Sequence, residues 1–428
     1  MAKNHFYILK KCKGSKLMNI LYVSPVFLGF DNMLLKGDTK ETALPAYIYP
    51  LKALVERGNN VDIIFINGAN LLPKNPEYNI KSDWLKKCNI IDIVHWDGFI
   101  KKFYLIHKLN KIVEKAINSN NYDFIYIHGQ SGAFTMKVAN KYGIPVAYRV
   151  YGLVFLYGSI KQRGILRTKL KPNLWPQYKA LMLKKDFMLV TDDGSKGDYV
   201  YNVLSNGKRN CDFYFWKSGV SRFKELNDSE IKDYRDRLGI EERPFLFYFA
   251  RIDSDKRQDK AIDILYKLNN SGYNFNLYIA GHVTDYKFYQ KLQDKVKQLG
   301  LKDNVFFIDA LDKDEINAMC KMATASFSLY DICNMGNCFH EMLSAGAVIV
   351  ASNDGSLDEF IENEKNGFLI DNLQQGVDYI IKVYEDKEYE KSIRYNAGKT
   401  SRKKMKTWEE RVDDEIKLIE HYAHKNRK

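Results

Sequence analysis

Arg251 and Lys256, two cations five residues apart, follow directly on the apolar run 245–250 of this 428-residue chain. That run reads as a buried strand. A planar guanidinium fork and a compact ammonium bracketing a turn at a strand end suit a diphosphate. Taken alone, the pair reads equally well as solvated loop cations. A second polar stretch, Tyr330 to Glu341, follows the predicted strand 325–329. In it Asn334 precedes a Gly336-Asn337 pair that opens a predicted helix over 337–345. Free backbone N–H groups and the positive dipole end of such a helix suit phosphate or sugar hydroxyls. Glu341 lies one turn in, where a carboxylate can accept hydrogen bonds from ribose hydroxyls. Asparagine also caps helices with no ligand present. A third polar turn, Asn353-Asp354-Gly355-Ser356, follows the strand ending at Ala351. Three polar loops after successive strands are harder to dismiss than one.

The elements that position these loops follow from hydrophobic periodicity. Strands are predicted at 19–25, 61–66, 90–94, 124–129, 144–150 and 187–191, the last completing a first sheet. Helical periodicity lies between them at 45–57, 99–118 and 132–142. A second series runs as strands 245–250, 275–281, 304–308, 325–329 and 348–351, with helices 257–270, 285–299, 313–323 and 337–345. Alternation of this kind predicts an α/β fold of two Rossmann-like, doubly wound domains. In open sheets of this type ligands bind beyond the carboxyl ends of the strands. The expected division is an extension over 1–17, a first domain over 18–205, a hinge region over 206–243 and a second domain over 244–404. A last helix within 405–428 is expected to return to the first domain.

Composition sets bounds on these readings. The chain is 45% hydrophobic and 28% charged, which are globular values, and its length suits two domains of roughly 200 residues. Its six cysteines are scattered, with no close pair and no histidine pattern to complete a metal site, so reduced thiols and no bound metal are expected. The apolar run 6–9 is shorter than the about 7–15 residues of a secretory segment. No window reaches the roughly 18 apolar residues of a membrane span. A cytoplasmic protein, soluble or peripheral on the inner face of the plasma membrane, is therefore expected.

The formal net charge is +13, which suits anionic lipid, nucleic acid or phosphorylated substrates without choosing among them. Eight basic residues and no acidic one fall between Lys161 and Lys185, interleaved with Trp175 and Tyr178. Segment 99–115 adds Phe99, Phe103 and Tyr104 beside Lys101, Lys102, Lys108, Lys111 and Lys115. Such mixtures suit an anionic leaflet. The alternative is that the apolar residues are core and the lysines a solvated face.

From Met18 to about Trp408, and most strongly from Tyr248 to Asp371, the chain resembles the retaining glycosyltransferases of family 4, which have the GT-B fold: two Rossmann-like domains facing across a cleft. Arg251 and Lys256 fall where that family's Arg and Lys hold the donor diphosphate. Ile279-Ala280-Gly281 resembles its donor loop, so Gly281 is implied at the donor. The run 304–308 resembles a further family strand, which places Asp309 and Ala310 beside the base. Asn366-Gly367-Phe368-Leu369 matches a closing family segment.

The departures are specific. The family's acidic pair is two Glu separated by seven residues; Glu341 matches the second, but Cys333 stands at the first, with Asp331 two residues earlier as a substitute. The family's first-domain His falls at Tyr151, and its N-terminal Gly-Gly loop is absent, Lys36-Gly37-Asp38 being the nearest stretch. The pattern is that of a variant branch.

The resemblance implies a retaining hexosyltransferase using a nucleoside diphosphate sugar, UDP favoured, with a glycan or lipid-linked acceptor in cell-surface polysaccharide or glycoconjugate biosynthesis. Arg251, Lys256, Asp331 and Glu341 are the implied catalytic set. Gly281, Asp309, Ala310, Asn334, Gly336, Asn337 and Glu341 are the implied donor contacts. His128 and Tyr151 are the acceptor-side candidates. No cofactor or metal is implied, since Asp253-Ser254-Asp255 has the letters of a metal motif but sits inside the cation loop. Other readings remain open: a sugar-nucleotide epimerase of the same architecture, a catalytically inactive nucleotide-sugar-binding subunit, or a nucleic-acid-modifying transferase, the last without any recognisable nucleic-acid-binding module.

Overall fold

The computed structural model describes residues 17–39, 44–68, 70–95 and 102–425. Residues 1–16 of the expected extension and 99–101 of the first basic segment lie outside them. The chain forms two compact units. The first comprises residues 1–192, 196–219 and 408–428; the second comprises 193–195 and 220–407.

The first unit is built on a seven-stranded, all-parallel sheet. Its strands are β1 (Asn19–Pro25), β2 (Asn60–Asn67), β3 (Asn89–His95), β4 (Phe124–His128), β5 (Val146–Val150), β6 (Phe187–Asp192) and β7 (Asp212–Lys217), in the order β3-β2-β1-β4-β5-β6-β7. The central strands are buried on both faces, which is why they read as unbroken apolar runs. The helix Lys102–Ser119 sends Leu105, Leu109 and Val113 into the core beneath the sheet. The Leu105, Leu109 and Val113 stripe is core, while Tyr104, one of the aromatics singled out in segment 99–115, stands 68% exposed.

The expected hinge region 206–243 does not exist as one piece. Strand β7 pairs with β6 over six residues and completes the first sheet, so β6 is not its last strand. The helix Asp228–Leu238 belongs to the second unit, held at its start by a reciprocal Asn227–Glu230 capping box. The chain passes between units at 219/220 and again at 407/408. At the first crossing a side chain on Gly219 would strike Trp408, a Cβ lying 2.7 Å from the Trp408 Cα. The last helix, Trp408–Lys425, packs on the first sheet through Trp408, Val412, Ile416 and Ile419. The first unit thus needs both ends of the chain.

The second unit has a six-stranded parallel sheet of β8 (Phe245–Phe249), β9 (Asn276–Ala280), β10 (Val305–Ile308), β11 (Ala325–Ser328), β12 (Ile349–Ser352) and β13 (Phe368–Ile370), in the order β10-β9-β8-β11-β12-β13. Both sheets share one winding: three strands laid outward in one direction, then a return to the other side of the first strand. The reversal falls at β1/β4 in the first unit and at β8/β11 in the second. Such switch points leave a crevice beyond the strand ends, because successive crossovers leave in opposite directions.

Candidate active site

Residue by residue, the second unit assembles its polar loops at the β8/β11 switch point. Strand β8 runs into Arg251 and a short turn, Ser254–Lys256, capped by Asp253, whose carboxylate accepts from the Asp255 amide at 3.0 Å. The same carboxylate stands 3.4 Å from the exposed Arg251 guanidinium. Gln258, fully buried at the start of the next helix, donates to the Arg251 carbonyl at 2.8 Å and fixes the turn from below. Tyr248, inside β8, donates to the Lys256 carbonyl and accepts from the Leu329 amide at 3.3 Å. One buried phenol therefore ties the loop after β8 to the end of β11.

The Lys256 side chain reaches across that tie. Its ammonium lies 3.9 Å from the centroid of the Tyr330 ring. Burial depresses its pKa below the ordinary lysine value, and nearby Arg251 depresses it further against the pull of Cys338 and the adjacent aspartates. The two cations singled out in the sequence are thus close enough to repel, as cations awaiting a dianion would be. Beside them the Cys338 thiol is pushed up to about 12 by burial and the Glu341 charge, so it stands as a neutral thiol and not as a nucleophile.

The loop after β11 carries two of the residues singled out in the sequence, Asp331 and Asn334. Asp331 is clamped between Lys260, at 2.8 Å, and Arg257. Burial alone would raise its pKa, but hydrogen bonds from Lys260 and Arg257 outweigh it and hold the carboxyl below its usual range. The ion pairs fix the position of this exposed carboxylate in the loop. Asn334 is fully buried. Its amide oxygen accepts from Ser328 Oγ at 2.9 Å and from the Tyr330 amide at 3.1 Å, while its nitrogen donates to the Tyr330 carbonyl at 3.0 Å. No side-chain surface remains for a ligand, which corrects its assignment as a donor contact. Its backbone amide donates to Ser356 Oγ at 2.9 Å, linking the third polar loop, 353–356, to the same knot. Cys333, at the position of the family's first Glu, takes a left-handed backbone with φ 63° and is buried.

Beyond the knot, Gly336 caps the helix Asn337–Ala345 with an extended backbone and no side-chain cap. A Cβ there would meet nothing within 4 Å, and Gly336, Asn337 and Cys338 are all partly exposed. Asn337 is the first residue of that helix, and Glu341 lies one turn on. Burial raises the Glu341 pKa, opposed by Lys313. Gly281 ends β9 at φ 146°, where a side chain would collide with the Ala250 carbonyl. Its lack of a Cβ allows the β8 and β9 loops to close on each other, as the 2.8 Å bond from the Ile252 amide to the His282 carbonyl shows. Asp309 and Ala310 are exposed just past β10, at the sheet edge two strands from β8.

In the first unit, His128 ends β4 and Tyr151 follows β5. His128 Nδ1 lies 2.5 Å from the Tyr151 hydroxyl. The imidazole is fully buried and stacked on Tyr22, with ring centroids 4.3 Å apart. Burial and then Arg149 hold its pKa well below the usual value, so it is neutral. With no exposed surface of its own, the ring stands behind Tyr151. That ring is boxed by His128, by Phe27 edge-on at 5.4 Å and by the Arg149 guanidinium at 4.9 Å. Arg149 is itself buried and stands 3.6 Å from Glu415 on the last helix. Glu415 also accepts from Tyr126 at 2.6 Å and from Arg411 at 3.0 Å.

Sequence reasoning missed Tyr248, Gln258, Tyr330 and the Arg149–Glu415–Arg411 cluster. The available signals were a phenol inside an otherwise apolar strand, an arginine inside the run 146–150, and a glutamate on the apolar stripe of the last helix.

Two doubly wound parallel sheets in succession are the architecture of the GT-B fold. Residues 230–400 match the family described as Glycosyl transferases group 1, so the chain carries a glycosyltransferase group 1 domain over that stretch. It is 22% identical over 309 residues to the alpha-monoglucosyldiacylglycerol synthase of Acholeplasma laidlawii, covering 70% of this chain and 75% of that protein. Its fold is similar to that of sucrose-phosphate synthase from Thermosynechococcus elongatus, with TM-score 0.72 and 16% identity over 94% of this chain and 99% of the other. WaaG, a glycosyltransferase involved in lipopolysaccharide biosynthesis, gives TM-score 0.68 and 14% identity over 94% and 99%. Anabaena HepE, solved with UDP-glucose, gives 0.66 and 15% over 94% and 100%.

Proposed function

We propose that this glycosyltransferase moves a hexose from a UDP-sugar, with retention, to a lipid-linked or glycan acceptor in the building of a cell-surface glycoconjugate. The observation that carries the reading is the convergence of Arg251, Lys256 and the uncapped helix start at Asn337 around one switch point. Arg251 and Lys256 meet the diphosphate, and their charge matters most as the sugar–phosphate bond breaks and the leaving group gains charge. In this reading they carry that charge without a metal ion. The Gly336 amide is bonded to the Asn334 carbonyl at 2.9 Å, so it is the helix start from Asn337 onward that receives phosphate or sugar oxygens, and Glu341 accepts from the ribose hydroxyls. Gly281 keeps the neighbouring loop tight, with Asp309 and Ala310 beside the base. Asp331 and Asn334 hold the loop in shape. Tyr151, oriented by His128, is the acceptor-side contact.

The uracil preference is supported by HepE, solved with UDP-glucose, and the lipid-linked acceptor by the diacylglycerol glycoside named for the Acholeplasma relative. Thermal stability is the first test, because a ligand that binds the folded state raises the melting temperature by linkage. UDP-sugars are expected to raise it in the wild type, with ADP- and GDP-sugars weaker. Arg251→Ala and Lys256→Ala are expected to abolish the rise. A wild type indifferent to every nucleotide sugar would sink the reading.

A further inference from the structure

The first unit carries an apolar, basic surface that the active site does not use. After β5 the chain passes through Tyr151 into three short helices, Val154–Arg163, Ile165–Leu170 and Trp175–Met182. Four large apolar side chains on them stand in solvent: Phe155 at 66% exposure, Leu166 at 71%, Leu170 at 70% and Trp175 at 40%. Leu166 and Leu170 are one helical turn apart and share a face. Thr168 points the opposite way, fully buried, with its hydroxyl 3.0 Å from the buried Ser159. The short helix is thus pinned from below while its leucines are held outward. Residues 161–167 are exposed without interruption, a turn in which Ile165 and Leu166 protrude between Lys161, Arg163 and Arg167.

The charge along this stretch of chain is one-sided, although the helix Gly197–Leu204 packed against it brings one exposed carboxylate, Asp198. No Asp or Glu occurs between Asp123 and Asp186. Among the described residues none of the six cations from Lys161 to Lys179 joins an ion pair. Lys179 lies 5.6 Å from the Trp175 ring, and Lys169 bonds only the neutral Asn206 side chain, at 2.9 Å. Lys185, counted with them in the sequence, is different. It is buried and donates to the Leu181 carbonyl at 2.9 Å, closing the end of the last of the three helices.

We infer that this face, from Phe155 to Lys179, docks on an anionic lipid bilayer, with Leu166, Leu170, Ile165 and Phe155 entering the headgroup–acyl boundary and the surrounding cations meeting lipid phosphates. Uncompensated cations choose an anionic partner. Protruding aliphatic side chains choose a bilayer over a nucleic acid, whose phosphates need cations but give leucine nothing to enter. No helix among the described residues is long and apolar enough to cross a membrane, so the attachment is of the surface kind. The docking helices begin three residues after Tyr151, which would bring the proposed acceptor side to the lipid. The docking stands apart from the proposed reaction and is measured without turnover.

The test is co-sedimentation of the full chain with vesicles of phosphatidylcholine alone and of equal parts phosphatidylcholine and phosphatidylglycerol. Binding to the mixed vesicles only, weakened by salt, is expected. Leu166→Ser with Leu170→Ser, and separately Arg163→Gln with Arg167→Gln, are each expected to weaken it at least about tenfold, since each surface cation alone supports roughly a fivefold effect. All four side chains are exposed, so both variants should melt as wild type does. The charge-matched control Lys287→Gln with Lys291→Gln, on an exposed helix of the second unit, is expected to bind as wild type. Absent binding at low salt overturns the inference. So does equal loss in the control, which would reveal diffuse charge attraction. Binding indifferent to the leucine pair but competed away by duplex RNA would assign the face to nucleic acid and overturn it as well.

Discussion

Tyr330 presents its ring to the Lys256 ammonium, 3.9 Å from ring centroid to nitrogen. The ring holds a partly desolvated cation in place before any anion arrives, so the site does not have to gather a flexible lysine on binding. A cation–π contact of this kind is worth about 0.5–2 kcal/mol. Tyr330→Leu is therefore expected to weaken UDP-sugar binding by roughly three- to thirtyfold, while leaving an apolar side chain in a buried position. Titration calorimetry against the wild type checks this.

The lowered pKa of Lys256 has a sign that can be tested. The proposed site binds a diphosphate only while Lys256 is an ammonium, and burial makes it lose its proton at a lower pH than an ordinary lysine. Donor affinity is expected to fall as pH rises through that lowered value. Lys256→Arg, always charged, is expected to remove the alkaline fall while retaining some binding. A wild-type alkaline limb that persists unchanged in the arginine variant would assign the titration to another group.

Asp331 and Asn334 separate two roles within one loop. Asp331 is half-exposed and paired with two cations, so Asp331→Asn is expected to cost less than about 1 kcal/mol of stability and to keep transfer within about tenfold of wild type. A loss of several thousandfold would restore it as the missing acid. Asn334→Ala is expected to strip partners from the Tyr330 amide and carbonyl in a buried site, at about 2–4 kcal/mol. It should lower the melting temperature and donor binding together, whereas Arg251→Ala, on an exposed side chain, should affect binding alone.

The ion cluster under the last helix is a stability element. Glu415 lies between Arg149 and Arg411, all three buried. Glu415→Ala leaves two buried cations without their carboxylate, for which about 3–5 kcal/mol is expected. Urea unfolding is the measurement. Glu415→Gln, which preserves size and the Tyr126 contact, is expected to recover only part, because the charge is what the arginines lack.

Lys185 gives a pH signature of its own. Burial brings its pKa down to about 8 from an unfolded value of 10.5. Below pH 8 the folded state carries a buried ammonium. Between about 8 and 10.5 the unfolded chain binds the proton and the folded chain does not, so stability rises with pH across that window. Relative to Lys185→Met, the wild type is expected to gain up to roughly 3 kcal/mol from pH 8 to 10.5. The difference between the two unfolding curves isolates this group from the tyrosines that titrate nearby.

The sequence by itself determined the alternation of elements, because buried parallel strands must be apolar throughout and amphipathic helices must repeat at 3.6 residues. It also determined which loops lie at the strand ends beside the switch point, since Arg251, Lys256, Gly336, Asn337 and Glu341 follow predicted strands in order. The short helices of 154–182 escaped it, because their exposed leucines carry no single-faced period. Strand β7 escaped it because its edge position leaves only half-burial to be read. Tertiary structure alone decided what each polar group faces. Asp331 is paired with two cations that the sequence does not place beside it, and Asn334 looked like a ligand contact until its amide turned inward. His128 became a support for Tyr151, and Glu415 met Tyr126 across 289 positions of chain. A linear sequence records residue types and local periods, but the partner of a buried charge or amide is set by contacts between distant segments.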